Sequence, residues 1–154
     1  MGLSYYVHTP EDAASRLPRP DRVPAAFESR YPTLREVKRV LESLDGYSSD
    51  GKRFARARWA AHVKKKAGGS GTLVHFDSMA YSRERHRGPV WFEKGDTELI
   101  VDIVERLTHT CGPLILTCDA DLGEKPLVVA PGMTVEEALA PWRMPPGGWK
   151  VLGL

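Results

Sequence analysis

Apolar residues recur along the chain with two periods, and each period predicts a kind of element. Leu34, Val37, Leu41 and Leu44 repeat at helical spacing, and Thr33 with Glu36 forms a capping box, so the pattern predicts a helix over 33–44 that Gly46 stops. The clearest stripe is Leu99, Ile100, Ile103, Val104 and Leu107, which predicts a helix over 96–109 closed by Gly112. Thr134 and Glu137 repeat the capping pattern for a short helix through Ala140 that Pro141 ends.

Other segments alternate or are apolar throughout. Tyr5, Tyr6 and Val7 predict a strand over 3–8 ended by Pro10. Residues 72–78 place Leu73, His75 and Asp77 on one face and Val74 and Phe76 on the other, as a half-buried strand does. Residues 89–93 predict a short strand. Residues 114–116 and 127–129 are apolar on both faces and predict central strands covered on both sides. Residues 149–152 predict a final edge strand. Around the helix at 96–109, the strands at 89–93 and 113–118 read as a strand–helix–strand unit with parallel strands and a right-handed crossover.

Residues 51–66 are rich in Ala, Lys and Arg, whose intrinsic propensity predicts a helix. Gly68, Gly69 and Gly71 break it, and 68–71 reads as a flexible connector because the Gly-Lys-Ser/Thr ending of a phosphate loop is missing. Residues 9–32 hold five prolines and read as an irregular surface segment with a short helix near 11–17. The Pro- and Gly-rich tail at 141–149 has little regular structure of its own, and Trp142 and Trp149 on it either pin it to the domain or meet a partner. The expected architecture is a single domain spanning 1–154, α/β or α+β, with a mixed sheet of about five strands and helices packed on it.

Composition adds little until it is divided by position. The chain has 154 residues, 42% hydrophobic and 27% charged, as one ordinary globular domain does. Apolar runs fall far short of the roughly 20 residues of a membrane span, and no basic-then-apolar start marks an export signal. Two cysteines, Cys111 and Cys118, read as reduced thiols in a cytoplasm. The total charge of +2 conceals a division: Lys52, Arg53, Arg56, Arg58, Lys64, Lys65 and Lys66 give 52–66 a charge of +7 with no acid, leaving −5 for the remainder.

That basic segment is the main candidate site. With Trp59 for stacking, and with Arg83, Arg85 and Arg87 extending it in space, it could meet a polyanion; equally, it could be a solvated helix. A weaker candidate is acidic. Asp119 and Asp121 follow one expected strand, and Glu93 and Asp96 follow its partner, so carboxylates at strand ends could hold Mg²⁺ for phosphoryl chemistry. The simpler reading makes these a polar loop and a helix cap. His75 with Asp77 lacks an assignable nucleophile, and His109, Cys111 and Cys118 match no zinc spacing.

These features lead to a small cytoplasmic bacterial protein-binding domain without catalysis or cofactor, most specifically an immunity or antitoxin-like protein that neutralises a partner toxin. Its expected partner is another protein and not a membrane; the sequence carries no signal for oligomeric state. The alternatives are a nucleic-acid-binding accessory protein using 52–66 and a Mg²⁺-dependent hydrolase or transferase.

Overall fold

The computed structural model describes residues 3–18, 28–55, 58–77 and 86–143. In chain order the elements are β1 (Ser4–His8), α1 (Pro10–Arg16), α2 (Leu34–Glu42), β2 (Tyr47–Ala55), β3 (Arg58–Lys65), β4 (Gly71–Asp77), β5 (Val90–Gly95), α3 (Thr97–Cys111), β6 (Leu114–Cys118), β7 (Leu127–Val129) and α4 (Val135–Arg143). A 3-10 turn at Asp119–Asp121 follows β6.

The strands form one 7-stranded sheet in the order β2-β3-β4-β5-β1-β6-β7. Every neighbouring pair is antiparallel. The architecture is therefore α+β, and the expected mixed sheet of about five strands is corrected to seven antiparallel ones. β5 and β6 do run in the same direction, as the strand–helix–strand pattern implies, but β1 lies between them and pairs with both.

The largest correction concerns 51–66, which is not a helix but most of the β2–β3 hairpin. In a helix Trp59 and Val63 would lie opposite Phe54, Ala57 and Ala61, so no single stripe could be buried. In a strand Trp59, Ala61 and Val63 fall on one face, and all three are buried there. Helix propensity differs among ordinary residues by at most about 0.7 kcal/mol, whereas burying a large apolar side chain is worth about 1.5–3 kcal/mol, so packing prevails. Gly68 and Gly69 accordingly belong to the β3–β4 connection, and Gly71 begins β4.

The core lies on one side of the sheet. There Tyr5, Val7, Val74, Phe76, Phe92, Leu114, Leu116 and Leu127 meet the apolar stripes of α2, α3 and α4. The capping box of α2 is present: Thr33 Oγ1 accepts from the Glu36 amide at 3.2 Å, and Glu36 Oε1 accepts from the Thr33 amide at 2.9 Å. Asp96 caps α3, and Gly112 ends it at φ +80, where a Cβ would lie 2.4 Å from the Glu28 carbonyl oxygen. Contrary to expectation, Pro141 lies within α4, which continues to Arg143. Only the last turn follows it, so few helical bonds are at risk.

On the opposite side α1 covers one end of the sheet, through Ala13 and Leu17 against Ile115 and Val128. β6 is thus buried on both faces, whereas β7 is an edge strand and not the central one its sequence suggests. Side chains tie down the segment before α2: Arg30 donates to both carboxylate oxygens of Glu36 at 2.7 Å, and the Tyr31 hydroxyl donates to Asp12 at 2.6 Å. The expected strand at 149–152 lies outside the described residues. Among those described, no helix is long and apolar enough to cross a membrane.

Candidate binding face of the sheet

Because α1 reaches only one end, the side of β2, β3, β4 and β5 away from the core carries no helix among the described residues. Strand register sets what this face displays. One row crosses six strands as Lys52, Ala60, His75, Trp91, Tyr6 and Thr117. The next row is Asp50, His62, Leu73, Glu93 and Ser4. Arg58 sits opposite Asp77 on the other side of the first row.

The middle of the first row is an aromatic stack. His75 and Trp91 lie 3.8 Å apart between ring centroids with planes 5° apart, and Tyr6 follows at 6.1 Å and 22°. Neighbouring strands are about 4.8 Å apart, so rings standing upright on adjacent strands meet face to face. Asp77 fixes the stack: it accepts from the Trp91 indole at 3.2 Å and from Arg58 Nε at 3.2 Å. The Arg58 guanidinium in turn lies 5.8 Å from the Trp91 ring centre. Tyr6 is 39% exposed, and His75 is buried.

Burial pushes the His75 imidazole below its ordinary value, and Arg58 acts in the same direction against the opposing pull of Glu93 and Asp77. The ring is therefore neutral at neutral pH. Its Nε2 is 3.2 Å from Glu93 Oε1, but out of line for a hydrogen bond, so among the described residues neither buried ring nitrogen finds one. A neutral imidazole loses less by this than a charged one would.

The sequence-derived basic site is dispersed by strand alternation. Lys52, Arg58 and Lys64 belong to the helix-free face, whereas Arg53 and Lys65 fall on the opposite parity and Lys66 lies beyond the end of β3. Trp59 points into the core and is 8% exposed, so it offers no stacking surface; Lys38 Nζ lies 5.9 Å from its ring. Arg87 is exposed beside an isolated bridge to Thr33. Arg56, Arg83 and Arg85 lie outside the described residues. Asp50, Asp77 and Glu93 share the face with Lys52, Arg58 and Lys64, so it is mixed in charge.

The acidic candidates lie at one end of the sheet, where Glu93 and Asp119 flank Ser4. Their carboxylates do not converge: Asp119 accepts from the Ser4 amide at 3.0 Å, Asp121 from the Gly123 amide at 3.0 Å and Asp96 from the Glu98 amide at 3.0 Å, while Glu93 faces His75 at 3.2 Å. Among the described residues no three His, Cys, Asp or Glu side chains gather as a metal would require. Cys111 and Cys118 are buried free thiols whose pKa burial raises, which makes them poor nucleophiles.

Sequence reasoning missed Tyr6 and Trp91. The available signal was the alternation of Tyr5 with Tyr6 and of Val90 and Phe92 with Trp91, which turns one aromatic on each strand away from the core. Comparison with protein-family models, with curated proteins and with solved structures finds no match.

Proposed function

We propose that this chain is a non-catalytic bacterial binding protein that grips a partner protein through the helix-free face, as an immunity or antitoxin-like protein occludes a toxin. The observation that carries this reading is the Tyr6–Trp91–His75 row, braced by Asp77 and Arg58 and flanked by charges of both signs. Aromatic and Arg side chains held rigid in advance are the usual anchors of protein interfaces, because little rotamer freedom remains to be lost on binding.

A nucleic-acid partner fits this face less well. Proteins that read single strands offer aromatic faces on which bases stack. Here the faces of His75 and Trp91 are turned toward each other and are not open to a base. The three acids among the cations would also repel phosphates.

Co-expression with the product of the adjacent gene tests the proposal. A stable complex that purifies intact, and that Tyr6→Arg disrupts while the fold persists, supports it. No complex, or one indifferent to Tyr6→Arg, removes its basis.

A further inference from the structure

Beside the aromatic row, toward the β3–β4 connection, the same face sinks into a groove of about 470 Å³. That is within the range of small-molecule sites, roughly 300–1,000 Å³. Its walls carry His62 and Lys64 from β3, Leu73 from β4, and Glu93 and Lys94 from β5. Bare backbone forms the floor at Gly71 and Gly95. A Cβ at Gly71 would lie 2.0 Å from the Val63 carbonyl oxygen, and one at Gly95 would lie 2.3 Å from the Gly71 carbonyl oxygen.

Lys94 is the informative residue. It occupies a register shift between β4 and β5 and has φ +52, a left-handed conformation that Gly or Asn adopts more readily. Its backbone is tied on both sides: the amide donates to the Leu3 carbonyl at 2.8 Å, and the carbonyl accepts from Thr72 Oγ1 at 2.7 Å. The bulge thus sets the direction in which a lysine leaves the strand, and that lysine lines the groove. Bulges commonly re-aim a side chain in this way.

We propose that the groove binds the phosphate of a small phosphate monoester, with Lys64 and Lys94 as its cationic clamps, His62 as a further donor, and Leu73 against the ester's organic part. Two ammonium groups against the single carboxylate of Glu93 leave a net positive site, suited to a dianion on an otherwise mixed face. Lysine holds phosphate as a point charge without strict geometry. The groove touches the aromatic row only through Glu93, 3.2 Å from His75, and its phosphate affinity is measured without the partner protein.

The test is a titration of the ¹⁵N-labelled full chain, at constant ionic strength, with inorganic phosphate, ribose 5-phosphate and chloride. Saturable shifts are expected at the amides of Gly69, Gly71, Thr72 and Lys94 with both phosphates and not with chloride, and tighter binding is expected for the ester. Lys64→Ala and Lys94→Ala should each weaken binding about tenfold, the loss of one charge-assisted contact. Lys94→Gly keeps the bulge without the ammonium group, so it should weaken binding equally while the protein remains folded. Tyr6→Arg should leave the shifts unchanged. Equal shifts with chloride, no localised shifts, or full affinity in Lys94→Gly would overturn the proposal.

Discussion

The His75 imidazole and the Trp91 indole lie parallel across β4 and β5 at 3.8 Å, and the indole N–H is held by Asp77 at 3.2 Å. Stack and hydrogen bond act on the same ring. Trp91→Phe keeps a ring beside His75 but leaves Asp77 with one donor fewer. Its cost should be about 1 kcal/mol in urea unfolding. Trp91→Ala removes the stack and the buried area as well, and should cost about 3 kcal/mol. Equal losses for the two substitutions would show that the ring adds nothing beyond its hydrogen bond.

Acid should destabilise the fold in two stages. His75 and His8 both have imidazoles pushed below their ordinary 6.5, chiefly by burial. A depressed histidine contributes stability that is complete above 6.5 and declines as pH falls below it, because the unfolded chain takes up the proton first. Glu36 is lowered from 4.5 to about 2, mainly by its hydrogen bonds from Arg30. Its contribution is present above 4.5 and is lost as pH falls toward 2. Urea midpoints measured from pH 8 to pH 2 should show both declines. His75→Gln should shrink the upper one and Glu36→Gln the lower one.

Gly51 on β2 lies under the Trp59 ring, and a Cβ there would be 2.2 Å from Trp59 Cζ2. Gly51→Ala should therefore cost about 1–3 kcal/mol, as overpacking does. A smaller ring makes room, so Gly51→Ala combined with Trp59→Phe should be less damaging than the two single effects added together. Additive losses in denaturant unfolding would place the cost of Gly51→Ala elsewhere than at the ring.

Lys94 pays for its left-handed conformation at φ +52. Lys94→Gly should raise stability by up to about 1 kcal/mol, the scale of the left-handed penalty less the added freedom of the unfolded glycine. A fall in melting temperature would mean that the side chain also packs.

Outside 51–66 the local elements are legible in the sequence, strands β1, β4, β5, β6 and β7 as well as the helices. The capping box at Thr33 and Glu36 and the stripe from Leu99 to Leu107 mark α2 and α3, because cap chemistry and a 3.6-residue period are local. The β2–β3 hairpin was not legible from propensity, since Ala, Lys and Arg favour a helix and only burial of Trp59, Ala61 and Val63 in the core selects the strand. The place of β1 between β5 and β6 is a long-range pairing with no local signal. The candidate site followed the same division. His75 and Asp77 share one face, as strand alternation implies, whereas the basic run is divided between two faces because its period is that of a strand and not of a helix.

Hydroxyl-radical footprinting of the chain, alone and in complex with the protein it captures from its source cells, tests most directly whether the helix-free face is the binding surface. Oxidation of Tyr6 and Trp91 should fall at least severalfold in the complex, while Leu122, which is 84% exposed at the turn after β6, stays as reactive as before. Unchanged reactivity of Tyr6 and Trp91, or protection confined to Leu122 and the turn around it, would contradict a partner seated on the aromatic row.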